Sequence, residues 1–110
     1  MSDSSLDLLR GTVDLLVLRT LAWEPMHGYA IAQFVRTQTD GAISIESAAL
    51  YQALHRLEKR KWVRAWWDTS ETSRRARFYE LTAEGRKQLR DRSSDLKAYV
   101  TALYRVLDAR

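Results

Sequence analysis

The segment from Ser47 to Lys61 carries the side chains of this sequence that are best suited to binding chemistry. At about 100° per residue, Leu50, Leu54 and Leu57 form one narrow apolar stripe, which predicts an amphipathic helix packed on a scaffold. The opposite face begins with small or amide side chains that can approach base edges, and continues with cations that can reach phosphates. Its residues are Ala48, Gln52, His55, Arg56 and Lys59. Ser47 is predicted to cap this helix through its hydroxyl.

Taken alone, a basic amphipathic helix is more often an ordinary solvated surface helix, so the rest of the chain has to decide. The chain has 110 residues, a net charge of +4 and a pI near 9.7. Between Arg56 and Arg77 there are eight cations and three anions, a local balance of +5, and the other 88 residues sum to −1. A basic segment on a nearly neutral body is the pattern expected of a polyanion binder.

Composition argues against several other classes of function. A chain that is 45% hydrophobic and 29% charged fits one ordinary globular domain. It has no cysteine and only two histidines, His27 and His55, so neither a metal site nor a cofactor is expected. No Ser-His-Asp pattern or glycine-rich phosphate loop is present, so we do not expect an enzyme. No apolar run is long enough for a membrane span and no signal peptide is visible, which predicts a cytoplasmic protein.

The elements before the basic helix are predicted to complete a helix-turn-helix. The first helix should cover about residues 6–23, because apolar residues recur at helical spacing until Pro25 ends it. A turn over residues 25–28 leads to a second helix from residue 27 or 28 to 38. Residues 43–46 alternate like a short strand or an extended connector before the basic helix begins. Two helices with a short connection, the second basic on its outer face, are typical of DNA-binding helix-turn-helix units.

After Lys61 the sequence predicts an antiparallel β-hairpin over residues 62–81. Residues 62–68 and 76–81 are rich in aromatic and β-branched residues, and a polar loop separates them. Trp62 and Trp67 are predicted to lie in the hairpin core, and Trp23 and Trp66 to be partly exposed. Three arginines follow the loop, so the hairpin should extend as a cationic wing along the phosphate backbone or minor groove. These arginines are Arg74, Arg75 and Arg77.

From Thr82, a predicted N-cap, the pattern indicates a long amphipathic helix to the end of the chain. Its leucines recur every seven residues and form an apolar seam. A 110-residue domain cannot bury this seam together with the surplus apolar surface of the first helix. We therefore predict a homodimer in which the last helix packs on the partner's first helix; the alternative is that it folds back on its own body. The predicted interface residues are Leu9, Val13, Leu89, Leu96, Tyr99, Val100, Leu103 and Leu107.

The predicted fold class is mainly α with a small β-hairpin, a winged helix-turn-helix plus a long C-terminal dimerisation helix. Residues 1–82 would be the DNA-binding domain and residues 83–110 the dimerisation helix, within one structural unit. Four segments of this order resemble the PadR-like transcriptional regulators, winged helix-turn-helix proteins of bacteria and archaea. They are Leu9-Arg-Gly-Thr-Val-Asp-Leu-Leu-Val-Leu18, Met26-His-Gly-Tyr-Ala-Ile31, Ala49-Leu-Tyr-Gln-Ala-Leu-His-Arg-Leu-Glu-Lys-Arg60 and Arg74-Arg-Ala-Arg-Phe-Tyr-Glu-Leu-Thr-Ala-Glu-Gly85.

The resemblance covers residues 6–90 in register and implies a dimer that binds an inverted repeat in a promoter, usually as a repressor. Family members usually have proline after the tyrosine of the central helix, whereas this chain has Gln52. A glutamine amide can pair with adenine, or it can be a neutral replacement that faces a phosphate. The residues predicted to contact double-stranded DNA are Ser47, Tyr51, Gln52, His55, Arg56, Lys59, Arg74, Arg75 and Arg77.

Two further expectations concern other partners. Some relatives sense flat aromatic compounds between their subunits, and Trp23 with Tyr99 would line such an effector site here; ordinary interface packing of the two rings is the alternative. A rival function is a winged-helix protein-interaction module whose basic face holds an acidic protein. The cations favour DNA because they lie on both the central helix and the wing, two places that a duplex touches at once.

Overall fold

The computed structural model describes residues 3–110, and the side chains from residue 11 on. The predicted interface residue Leu9 lies outside the described side chains. Four helices alternate with three short strands. The helices are α1 (Asp3–Trp23), α2 (Gly28–Gln38), α3 (Ser47–Lys59) and α4 (Ala83–Leu107). The strands are β1 (Met26–His27), β2 (Val63–Thr69) and β3 (Arg75–Leu81). This mainly α fold with a hairpin confirms the predicted fold class.

Side chains in the preceding turns fix where α2 and α4 begin. The Nδ1 atom of His27 accepts a hydrogen bond from the Ala30 backbone N–H at 3.2 Å. Thr82 is the N-cap of α4, as predicted, and its hydroxyl oxygen accepts from the Gly85 N–H at 3.1 Å. Each bond satisfies a donor of the first helical turn that has no partner within the helix.

The start of α3 differs from the prediction, because Ser47 is the first residue of the helix and Glu46 is its N-cap. Ile45 before it is only 7% exposed, and the backbone is still extended at Glu46, with φ −66° and ψ 146°. Glu46 makes no side-chain capping bond, so the first turn of α3 has no side-chain acceptor at its cap. The helix ends at Lys59, earlier than predicted, since Lys61 takes a left-handed conformation with φ 63°.

The sheet has one strand more than the sequence predicted. Residues 25–28 were expected to form only a turn, but Met26 and His27 pair antiparallel with Tyr79 and Phe78. The strand order is β1-β3-β2, which makes β3 the central strand. A two-residue strand is too short to produce an alternating pattern, which is why the sequence did not reveal it.

The core lies between the helices and the inner face of the sheet. Its most deeply buried side chains come from α1, α2 and α3, with contributions from all three strands. They include Val17, Leu18, Leu21, Ile31, Val35, Leu50, Leu54, Leu57, Val63, Tyr79 and Leu81. On the outer face, the rings of His27, Phe78 and Trp66 form a row across the three strands, with centroids 5.2 and 6.1 Å apart.

The placement of Trp67 in the hairpin core was wrong, since its side chain is 57% exposed. Strand alternation puts it on the inner face with Val63 and Ala65, but it pairs with Arg77, farther towards the hairpin tip. The wing extends past the helical core at that point. Trp62 is buried, and Trp66 and Trp23 are partly or largely exposed, as predicted.

A close junction joins α4 to the end of α3 and the root of the wing. The Trp62 carbonyl accepts from the Thr82 N–H at 3.0 Å. The guanidinium groups of Arg60 and Arg92 lie 5.0 and 4.7 Å from the centroid of the Trp62 ring. A β-carbon at Gly85 would stand 2.0 Å from the same Trp62 carbonyl oxygen, so only glycine permits this approach of helix to strand.

We therefore expect Gly85→Ala to lower the free energy of unfolding by about 3 kcal/mol, because the methyl group would meet rigid backbone. Gly11→Ala is the matched control in α1, where a β-carbon meets nothing within 4 Å. The control should stabilise the chain by about 0.5–1 kcal/mol, since alanine favours a helix. Urea denaturation at one fixed protein concentration measures both changes. Equal stability of the two variants would contradict the close junction.

Candidate nucleic-acid interface

The outward face of α3 is polar and open to solvent. Its apolar stripe is buried as predicted, because Leu50, Leu54 and Leu57 are each 2% exposed or less. The opposite face carries most of the side chains predicted to contact DNA. Those that are exposed are Ser47, Tyr51, Gln52, His55 and Lys59, and Ala48 on the same face is exposed as well.

A shallow depression on this face is lined by Ala48, Tyr51, Gln52, His55 and Arg56. Amide, imidazole and phenol groups thus lie side by side around the small Ala48 side chain. Such groups offer both hydrogen-bond donors and acceptors, as the readout of base edges in a major groove requires. Gln52, which stands where the resemblance to the family leads one to expect proline, lies within this group.

The Tyr51 ring lies against the first residue of α2. A β-carbon at Gly28 would be 2.7 Å from the Tyr51 hydroxyl oxygen and 2.9–3.0 Å from two ring carbons. The absence of a side chain at Gly28 therefore allows the ring to take this position, while Tyr51 remains 52% exposed. Tyr51 thus stands where the two helices of the helix-turn-helix meet.

Arg56 forms an ion pair with Asp14 of α1. Its terminal nitrogen Nη2 lies 2.6 Å from Asp14 Oδ1, and its Nε lies 3.4 Å from Asp14 Oδ2. The Arg56 side chain is 30% exposed and that of Asp14 13%. The charge of this arginine is therefore already compensated within the chain.

The three arginines of the wing have different environments. Arg77 donates to Glu58 of α3 at 2.7 Å, which connects the wing to the basic helix. Arg75 lies over the Trp67 ring, 5.2 Å from its centroid, and Arg74 is exposed. Among residues 11–110, Lys59, Arg74 and Arg75 are the predicted phosphate contacts that carry no ion pair.

An open groove of about 1470 Å³ lies between the wing and the whole length of α2, with Tyr51 of α3 on its wall. Tyr51 lines it together with Arg74, Arg75 and Arg77, so one predicted contact of α3 and the three of the wing border the same space. The exposed rings of Tyr29 and Trp67 line it as well, and neither residue was expected at the site from the sequence. Strand alternation could have placed Trp67 on the inner face with Arg77, but no signal marked Tyr29.

Tyr79 closes the base of this groove from β3. Burial raises the pKa of its hydroxyl above the ordinary value of 10, although the nearby Arg77 opposes the shift. Tyr79 is therefore neutral at physiological pH and adds no negative charge beneath the arginines.

The residues predicted to form a dimer interface fall into two groups. Val13 and Leu89 are partly buried against the subunit's own core. Farther along α4 the apolar residues face solvent. Leu96, which lies between the two groups, is intermediate in solvent exposure. The exposed fractions are 60% for Tyr99, 37% for Val100, 43% for Leu103 and 66% for Leu107. Trp23 is 67% exposed, so neither ring of the predicted effector pair with Tyr99 is enclosed within one subunit.

Two other functional features are absent from the part of the chain that the structure describes. Residues 11–110 contain no group of three or more His, Cys, Asp or Glu side chains arranged to hold a metal ion. Within the same part of the chain, no helix combines the length and the apolar character that crossing a membrane requires.

Known proteins share this arrangement. An uncharacterised protein of Lysinibacillus sphaericus is 29% identical over 83 residues, which are 76% of this chain and 76% of that protein. A transcriptional regulator from Clostridium thermocellum is similar in structure with a TM-score of 0.81 and 29% identity, over 90% of this chain and 96% of its own. A PadR family transcriptional regulator from Eggerthella lenta is 30% identical with a TM-score of 0.77, over 98% of this chain and 92% of its own.

The model of the transcriptional regulator PadR-like family matches residues 17–91, which hold α2, α3 and the whole wing. Together with the fold and the basic outer face of α3, this match identifies the chain as a member of the PadR-like family of DNA-binding winged-helix transcriptional regulators.

Proposed function

We propose that this protein is a homodimeric repressor that binds an inverted-repeat operator, with α3 of each subunit in the major groove and the wing on the flanking backbone. The main observation that supports this proposal is that Tyr51 of α3 lines one groove together with Arg74 and Arg75 of the wing. A duplex in contact with the outer face of α3 would meet those arginines at its flank.

Each proposed contact uses the chemistry of its side chain. Gln52 and His55 read base edges, and Ser47 contacts a base or the adjacent sugar-phosphate. The Tyr51 hydroxyl binds a phosphate beside the start of α2. Lys59, Arg74 and Arg75 neutralise phosphates, because these cations have no carboxylate partner among the described residues.

The exposed apolar seam of α4 supports the proposed dimer. Two such helices from two subunits, each with α1 of the other, would remove Val100, Leu103 and Leu107 from water. A twofold axis through that contact would present two copies of α3 to the two halves of an inverted repeat. A dimer bound across a promoter would hinder polymerase, which is the basis for proposing a repressor.

The alternative function is a protein-interaction module that holds an acidic partner on the same face. The unpaired cations would serve either ligand, but the exposed Tyr51, Gln52 and His55 add hydrogen-bonding groups at the spacing of a recognition helix. A binding experiment with DNA separates the two functions.

We expect tight binding to the intergenic region upstream of the protein's own gene, resistant to scrambled competitor DNA. Lys59, Arg74 and Arg75 in two subunits give six cations, so log affinity should fall against log salt with a slope of about −5. Fluorescence anisotropy at several salt concentrations measures this slope. Equal competition by scrambled DNA would remove the sequence-specific function and favour the interaction module.

We expect Leu103→Glu to raise the dissociation constant of the dimer by about a hundredfold or more, since burial of a leucine contributes about 1.5–3 kcal/mol and two are lost per dimer. Ala98→Glu, which adds the same charge on the opposite side of α4, should leave it nearly unchanged. Sedimentation equilibrium measures both constants. A native chain that is monomeric, or equal effects of the two variants, would contradict the proposed interface.

We expect Gly28→Ala to displace the Tyr51 ring and to lower operator affinity by about fivefold to tenfold, through loss of one phosphate contact per subunit. In a Tyr51→Phe background, where that contact is already absent, Gly28→Ala should change affinity little further. Anisotropy titrations of the four proteins give the comparison. Additive losses would show that Gly28 acts on binding by another route.

A further inference from the structure

Recognition helix α3 is held by ion pairs on two sides. Arg56 pairs with Asp14 of α1, and two residues later Glu58 pairs with Arg77 of β3. The first pair is the more buried one, with side chains 30% and 13% exposed, against 41% and 33% for Arg77 and Glu58. The stronger constraint on α3 therefore comes from α1.

Geometry makes the Arg56–Asp14 pair an orienting contact. Nη2 and Nε of one planar guanidinium approach the two oxygens of one carboxylate, at 2.6 and 3.4 Å. A two-point contact of this kind restricts rotation as well as distance, unlike the single point charge of a lysine. It joins two positions that are 42 residues apart in the chain.

Because of this ion pair, Arg56 is less available to a phosphate than Lys59, the neighbouring cation of α3. To bind a phosphate, Arg56 would have to leave Asp14, and a nearly buried carboxylate would then lose its partner. Lys59, one turn later on the helix, is exposed and has no such partner among the described side chains.

We propose that Arg56 and Asp14 are positioning residues: they fix the rotation of α3 on α1, so that operator selectivity depends on a side chain of α1 that does not contact DNA. This inference rests on the proposed function, since it concerns how the same helix reads an operator. His55 precedes Arg56 directly and Gln52 lies one turn before it. Loss of the pair misaligns both with the base edges but leaves the cations of the surface in place.

The test compares Arg56→Gln, Asp14→Asn and their combination with Lys59→Gln, which removes one positive charge from the same helix. Affinities for the operator fragment and for a scrambled fragment are measured at several salt concentrations. Lys59→Gln should make the slope of log affinity against log salt shallower by about 2, since two charges are lost per dimer. It should weaken binding to both fragments by the same factor.

Arg56→Gln should lower operator affinity by about tenfold and leave the salt slope unchanged, and the combined variant, which removes one charge of each sign, should also leave scrambled-fragment affinity unchanged. Asp14→Asn should lower operator affinity to a similar extent, and the two losses should not add. If Arg56 contacts phosphate instead, Arg56→Gln will reduce the slope as Lys59→Gln does. Asp14→Asn will then strengthen binding to both fragments, because it frees a cation. That result would overturn the proposal.

A further variant keeps the test decisive if Arg56→Gln folds poorly, which circular dichroism would reveal. Arg56→Lys retains the charge but lacks the planar fork. Positioning predicts that it loses most of the operator selectivity, whereas a phosphate contact predicts that it keeps it. Failure of the native protein to prefer the operator fragment would be a failure of the proposed function, and it is read from the native titration alone.

Discussion

Burial of one leucine stripe sets the arrangement of the whole molecule. Leu50, Leu54 and Leu57 of α3 lie in the core that α1, α2 and the sheet complete, and each removes apolar surface from water. Because the stripe is narrow, this burial turns the polar face of α3 outwards. Bulk hydrophobic burial only approximates the rotation of a helix, so polar contacts such as Arg56–Asp14 make it definite.

The wing and α4 lie close to the end of α3, and direct contacts hold the three elements together there. Trp62 lies three residues after the end of α3; its carbonyl accepts from the N-cap residue of α4, Thr82, and its ring lies against Arg92 farther along that helix. The wing begins at the residue after Trp62, so recognition helix, wing and terminal helix diverge from one junction. The absence of a side chain at Gly85 lets that junction close. Small changes there would alter the direction of α4 relative to the DNA-binding face.

Much of this fold could be predicted from the sequence, because period and capping are local properties. The stripe of α3, the end of α1 before Pro25 and the Thr82 cap follow from neighbouring residues. What could not be predicted depends on distant partners. Glu46 rather than Ser47 is the N-cap of α3, β1 exists only because β3 lies beside it, and the ion pair of Arg56 joins it to Asp14, 42 residues away.

The two-residue strand β1 has a mechanical consequence. By pairing Met26 and His27 with β3, it attaches the beginning of α2 to the central strand of the wing, and the row of His27, Phe78 and Trp66 rings reinforces that attachment. The helix-turn-helix and the wing therefore form one rigid DNA-binding unit. In the proposed dimer, differences in groove width along a duplex would be absorbed by the DNA itself, and differences in half-site spacing by rotation of the two DNA-binding units about their terminal helices.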